Sequence, residues 1–410
     1  MKKIMILSSQ YTGHGHKSIS DALVEQLRAY PDVQVDVVEG FELIGAVGVR
    51  FSRMYGPLTR HAKDMWGFTF ILSSQTPRFI GELMELLIHD KFMKLLQNGM
   101  PDLIVSVHAM FVGGVLNILK TYGLDIPMVT MLADIIDIHP SWCDERATLT
   151  LCPTQEALES SINHGIPRAQ LRMVGFPTRA RFTDAASGYP KRHWSDARQL
   201  NCLLMSGGEG SGNLGKYAQE LLANFNCQLT VICGRNKKLQ LSLKESLEAQ
   251  FGERVRVLGY CENVQEYMLD ADILIARGSP NTLMEGVVCL CPLVITGALP
   301  GQEQRNPELI TAHNLGVVCP SPRHVARVIG ELIEGGGAQL HKIRAAQSKY
   351  RSLDGARDIA RIIYDTAQVK PRAMPEYKTR IPTLHSARLT MRAASIPLGR
   401  IWRRRKKPEE

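Results

Sequence analysis

The chain alternates short, continuous apolar runs with stretches whose apolar residues recur at helical spacing. The first run covers 3–9. A segment follows in which Ile19, Ala22, Leu23 and Leu27 share one helical face, and then a second run over 33–38. That order is a βαβ unit. Further strands are predicted over 102–108, 127–133 and 147–152, as short apolar runs of the kind buried on both faces of a parallel sheet. Between 175 and 198 the periodicity lapses into Gly175-Phe176-Pro177-Thr178 and a polar, turn-rich stretch. Alternation then restarts, with strands predicted over 202–205, 228–233, 255–258, 272–276, 293–296 and 316–319. The expectation is an α/β protein of two similar halves, 1–180 and 199–370, joined by a linker over 181–198 and followed by a flexible tail over 371–410.

Length agrees: 410 residues suit two cores, at roughly 150–200 residues per domain. Nine scattered cysteines with no Cys-x-x-Cys pair argue against a zinc site or a disulfide framework. No run approaches the roughly 18 apolar residues of a membrane span, and the opening apolar run is too short for a secretory signal. The net charge of +9 is concentrated: residues 371–410 hold eleven Lys/Arg against three Glu, leaving +1 for the rest. A neutral body with a basic tail ending in Ile401-Trp402 and five cations points to an anionic membrane surface; nucleic acid is not the expected partner. A short helix fits near 384–395. A second candidate membrane-associating segment covers about 41–95. There Phe41, Phe51, Tyr55, Trp66, Phe68, Phe70, Phe79 and Phe92 interleave with Arg50, Arg53, Arg60, Lys63 and Arg78. An ordinary helical core insertion fits that pattern equally well.

Four loops carry candidate chemistry. Between the first strand and its helix lies Gly13-His14-Gly15-His16-Lys17-Ser18, which lacks the third glycine of a dinucleotide fingerprint. It does place His16 at a helix N-terminus, where the dipole opposes protonation and keeps the imidazole available as a base. In the second half, Ser206-Gly207-Gly208-Glu209-Gly210-Ser211-Gly212 opens a helix, so its backbone can approach a phosphate; no Gly-Lys-Ser/Thr of Walker type follows. Arg277-Gly278-Ser279-Pro280-Asn281-Thr282 then leads into a helix carrying Glu285, placed to accept hydrogen bonds from a ribose. The loop Pro300-Gly301-Gln302-Glu303 lies on the same carboxyl edge, where open α/β sheets bind ligands. The acidic pair Asp270 and Asp272 sits between a helix and a strand, favouring turn and cap roles over a metal. His108, at a strand end, is a weaker candidate.

Taken in order, these motifs resemble those of the monogalactosyldiacylglycerol synthases and processive diacylglycerol glucosyltransferases, inverting enzymes related to the peptidoglycan N-acetylglucosaminyltransferase. The resemblance runs from residue 4 to about 335. It rests on Gly13-x-Gly15-His16, on Asp134 with His139-Pro140-Ser141-Trp142, on Cys152-Pro153-Thr154, on Gly175-Phe176-Pro177-Thr178-Arg179 and on the two donor-side loops. It implies a GT-B fold of two facing Rossmann-like domains and a UDP-sugar-dependent hexosyltransferase. Its partners would be a UDP-sugar donor and a diacylglycerol-like lipid acceptor. It further implies peripheral placement on the cytoplasmic face of a membrane and no cofactor or metal.

By the same resemblance, Gly207, Gly208, Gly210 and Gly212 would hold the diphosphate, Thr282 and Glu285 the donor, Tyr260 would lie beside the uracil, and Gln302 and Glu303 would contact the sugar. Gly15, His139 and Trp142 would face the acceptor. His16 is the expected base, with Asp134 as its orienting partner or the alternative base. The sequence departs from the family pattern at 277–281 and at His14. Two other activities fit the same plan: transfer of N-acetylglucosamine from its UDP-sugar to a polyprenyl-linked acceptor, and UDP-sugar 2-epimerisation.

Overall fold

A computed structural model describes residues 1–12, 14–54, 56, 62–189, 194–195, 198–205 and 213–377. Strands β1 (Lys2–Ser8), β2 (Val33–Glu39), β3 (Leu103–Ser106), β4 (Met128–Met131), β5 (Leu149–Cys152) and β6 (Leu171–Met173) form a parallel sheet in the order β2-β1-β3-β4-β5-β6. Strands β7 (Leu200–Met205), β8 (Cys227–Ile232), β9 (Val255–Leu258), β10 (Ile273–Ala276), β11 (Leu293–Ile295) and β12 (Gly316–Val318) form a second, in the order β12-β11-β10-β7-β8-β9. Central strands are mostly apolar because helices cover both sheet faces; Ile4, Met5, Ile6 and Leu7 are all buried, as are Ile273 to Ala276. β6 is not foreseen by pattern. It pairs with β5 at the sheet edge, and of its three residues only Leu171 is buried, so it carries no apolar run.

In each sheet the strand order reverses beside the first strand of the half, between β1 and β3 and between β7 and β10. Such reversals open a crevice at the carboxyl ends of the strands. The two carboxyl edges face one another. Arg305 pairs with Asp137 at 2.8 Å, His313 with Glu156 at 2.6 Å, and Arg235 reaches His14 across the gap.

The expected linker over 181–198 and boundary at 370 both need correction. Ala180–Gly188 is a helix that buries Phe182 and Ala186, so the first part of the expected linker is packed structure. The helix Gly355–Thr366 leaves the second half and packs on Gly15–Leu27 of the first, burying Ile359, Ala360 and Ile363. Lys2 Nζ donates to the Tyr364 carbonyl at 2.6 Å. Arg372, one of the tail's cations, lies against Asp102 at 3.4 Å and donates to the Asp125 carbonyl at 2.7 Å, so the chain to 377 is bound to the first half rather than loose. Residues 378–410, with the helix expected near 384–395 and the terminal cation cluster, lie outside the described residues. Gly175 begins the crossing between halves at φ +78°, and a Cβ there would lie 2.8 Å from that of Ser352.

The aromatic segment divides between the two readings. Phe41 and Phe92 are core, whereas Phe51 and Phe68 are 63% and 57% exposed. Asp272 is fully buried, accepting from the Asn201 amide at 2.9 Å and from Arg198 and Arg344; Asp270 accepts from the Asn201 side chain at 2.6 Å. That is a structural tie between β7 and β10.

Candidate active site

His16 occupies the first turn of the helix Gly15–Leu27, directly above the β1/β3 crevice. Its Nδ1–H donates to the Val107 carbonyl at 2.6 Å, which fixes the tautomer and leaves the lone pair on Nε2. No described residue hydrogen-bonds that nitrogen. Burial, only partly offset by the bond to Val107, pushes the imidazole pKa down to about 4. His16 is therefore neutral and basic at ordinary pH.

The expected link between His16 and Asp134 is replaced by a different one. Asp134 accepts the indole N–H of Trp142 at 2.7 Å, and the buried Trp142 ring lies 6.3 Å from the His16 ring. The Val107 carbonyl, not Asp134, orients His16. Burial raises Asp134 to about 6, against the Trp142 indole and the Gln302 amide, which favour its charged form. Trp142 is thus a core side chain joining Asp134 to the wall behind His16, and offers no open face for sugar stacking.

His139 caps the short turn Pro140–Trp142: its Nδ1 accepts from the Ser141 amide at 3.1 Å, so its Nε2–H is the donor to Ser73 Oγ at 3.0 Å. Both nitrogens are engaged, and the residue ties the helix Lys63–Ser74 to the site. Gly15 lies at the close approach of the two halves. Its carbonyl faces Asn281 Nδ2 at 3.5 Å, and a Cβ there would meet Asn281 Oδ1 at 3.0 Å.

On the opposite edge, Glu285 is buried in the helix Pro280–Val288, where Ser279 Oγ donates to Thr282 Oγ1 at 3.1 Å across the first turn. Burial raises the Glu285 carboxyl to about 7, against the opposing pull of Arg179 and Arg181. Arg179 approaches it at 3.5 Å. Glu303 is held by Arg277 at 3.2 Å and by the Leu299 amide at 3.0 Å, which shapes the loop presenting Gln302. Tyr260, 53% exposed, lies under the Arg235 guanidinium at 4.9 Å. Gly207, Gly208, Gly210 and Gly212 lie outside the described residues, as does Gly13.

Several buried polar atoms here have no hydrogen-bond partner among the described residues: Gln302 Oε1, Thr178 Oγ1, and Nε of Arg179 and Arg181. Buried polar groups are rarely left so; the two guanidinium Nε–H groups can donate to an anion, and the Gln302 oxygen can accept from a hydroxyl. Arg179 closes the Gly-Phe-Pro-Thr-Arg motif, but neither it nor Arg181 is among the expected site residues; their signal is two cations at the end of that crossing.

Paired Rossmann-like sheets meeting by their carboxyl edges, with His16 on one edge and Glu285 on the other, define the GT-B architecture. The solved structure of MurG from Acinetobacter baumannii superposes with a TM-score of 0.59 over 89% of this chain and all of that one, at 13% identity. A UDP-GlcNAc 2-epimerase from Neisseria meningitidis does so with a TM-score of 0.58 over 89% and 100%, at 10% identity. At these identities the likeness shows the fold alone, which the epimerase shares.

Sequence similarity is more specific. Residues 16–178 match the family model for monogalactosyldiacylglycerol (MGDG) synthase, and 213–335 that of glycosyl transferases group 1. The monogalactosyldiacylglycerol synthase 2 of Arabidopsis thaliana is 28% identical over 352 residues, spanning 80% of this chain and 73% of that one. A probable synthase of Oryza sativa subsp. japonica is 27% identical over 403 residues, spanning 93% and 83%. The chain is a glycosyltransferase related to the monogalactosyldiacylglycerol synthases.

Proposed function

We propose that the protein is an inverting hexosyltransferase that moves a sugar from a UDP-hexose to diacylglycerol or a similar lipid. The observation that carries this reading is the unprotonated Nε2 of His16, which no described residue hydrogen-bonds, together with the buried Nε of Arg179 and Arg181 and Oε1 of Gln302, which have no partner among the described residues. The lipid hydroxyl attacks the anomeric carbon from the side away from the diphosphate. The new C–O bond forms as the bond to UDP breaks; the hydroxyl proton goes to His16 Nε2 and the electron pair leaves with the diphosphate. In this scheme Arg179 and Arg181, with the amides opening the helix Leu214–Asn224, meet the leaving charge. Incubating the protein with UDP-glucose or UDP-galactose and diacylglycerol, followed by mass analysis of the lipid, tests the reading. A nucleotide-sugar altered without any lipid product would replace it with epimerisation.

Glu285 is the ribose contact in this scheme. Glu285→Ala should weaken UDP binding about tenfold or more by calorimetry, since a buried acceptor for a charged hydrogen bond contributes roughly 1.5–3 kcal/mol. Protonation should act in the same direction: UDP affinity should fall as pH drops through about 7, where the carboxylate loses its charge. Affinity that is flat from pH 5 to 8 would remove Glu285 from the site.

The lipid reaches the crevice from a membrane surface in this reading. Val47, Phe51 and Met54 on and beside the helix Ala46–Arg53, and Met65, Phe68 and Ile71 on the helix Lys63–Ser74, are all exposed, with Arg50 and Arg53 beside them. The latter helix touches the donor loop, since Gly67 abuts Pro300 and Gly301 abuts Phe70. Among the described residues no helix is long and apolar enough to cross a membrane. Phe68→Asp should reduce sedimentation with liposomes about ten- to a hundredfold, matching the roughly 1.5–3 kcal/mol of an inserted aromatic side chain. Unchanged sedimentation would place the membrane face elsewhere.

A further inference from the structure

The ring of His108 lies 4.4 Å from that of His16, centroid to centroid and tilted by 44°. His108 caps the helix Ala109–Thr121, its Nδ1 accepting the Met110 amide at 3.3 Å. With Nδ1 an acceptor, the ring proton is on Nε2 and is donated to Thr12 Oγ1 at 3.2 Å. Thr12 belongs to the loop that delivers His16, and its own amide is held by Ser9 Oγ. Behind His108, the edges and faces of Phe41 and Phe111 stand 5.4 and 5.2 Å away, so the ring has no room to turn. Two imidazoles in contact thus have fixed and different tautomers: His16 is Nδ1–H with Nε2 open, and His108 is Nε2–H with both nitrogens engaged.

We propose that His108 is a positioning residue for the transfer reaction: locked in one neutral tautomer by Met110 and Thr12, it clamps the His16 loop from beneath and keeps water from that face of the base. The proposal rests on the reading of His16 as base given above. Protonating His108 would require a hydrogen on Nδ1 and would strip the helix of its cap, so the proton taken from the acceptor stays on His16. Among the described residues, the groups in contact with the pair are uncharged: Trp142 beyond His16, Phe41 and Phe111 beyond His108, and the Val107 carbonyl. The carboxylates of the adjoining elements are directed elsewhere: Glu39 accepts from the Gln10 amide, Glu42 from the Tyr11 hydroxyl and Asp134 from Trp142.

Thr12→Val removes one hydrogen bond at a partly exposed loop and preserves shape, so it should fold. His108→Asn keeps an acceptor for the Met110 amide and removes the ring. Both should lower kcat about tenfold with the KM for the UDP-sugar unchanged. Both should also move the acid limb of the kcat profile upward, towards the ordinary imidazole value near 6.5, because water regains the covered face of His16. A structural role alone would lower stability without moving that limb. Independently of turnover, nitrogen-15 spectra of the imidazoles should show His16 as Nδ1–H and His108 as Nε2–H in the unmodified protein, and a higher His16 pKa in both variants. An acid limb and a His16 titration unmoved in Thr12→Val and His108→Asn would overturn the proposal. Full turnover in His16→Ala would instead overturn the base assignment, which separates the two failures.

Discussion

His16→Ala should lower kcat by about two to four orders of magnitude while calorimetric UDP affinity stays within about twofold, as expected for the loss of a positioned general base. The asymmetry follows from geometry: His16 belongs to the acceptor edge, whereas Glu285, Arg179 and Arg181 form the opposite one. The pH profile of the unmodified protein carries the same information. His16 has a depressed pKa, so it stays in its basic form until pH falls towards about 4, and turnover limited by this group should persist well below 6.5. Stability has the corresponding sign. Between about 6.5 and 4 the unfolded chain takes up a proton that folded His16 refuses, so this group makes the fold less stable as pH falls through that window. Turnover with an acid limb near 6.5 would show that His16 is solvated during catalysis, against the packing seen here.

The second large effect is on stability. Ile359→Asp should cost about 4 kcal/mol or more, read as a shift in the urea midpoint, since it removes a fully buried aliphatic group and places a carboxylate without a partner in the core. Ile359→Val at the same site should cost only about 1 kcal/mol. The consequence extends to the active site, because the helix carrying Ile359 packs on Gly15–Leu27, whose first turn holds His16. Residual folded Ile359→Asp protein should therefore lose turnover beyond its loss of folded fraction. A cost below about 1 kcal/mol would mean that the returning helix does not close over the first domain in solution.

The returning helix shows where local pattern stops. Its amphipathic spacing announces a helix with one apolar face, yet nothing in that spacing tells which domain the face covers. Likewise, aromatics interleaved with arginines between 41 and 95 read as either core or membrane face. Tertiary contacts assign Phe41 and Phe92 to the first role and leave Phe51 and Phe68 open for the second. The pairing of His16 with Val107 joins positions 91 residues apart, while the expected partner Asp134 turned to Trp142, eight residues along its own chain. Residue type identified both as candidates; only their packing could say what each touches.

By itself the sequence determined the βα alternation, the loop that delivers His16 and the helix that carries Glu285. These follow from forces acting within a few residues: apolar runs that must be covered on both faces, glycine where backbone comes close, and helix ends that need caps. The tertiary structure alone decided which carbonyl orients the base, which acids and cations face one another across the crevice, and that the last helix belongs to the first domain. Those outcomes depend on the order in which parallel strands pair and on how two sheets meet, and contacts so distant along the chain leave no local periodicity to read.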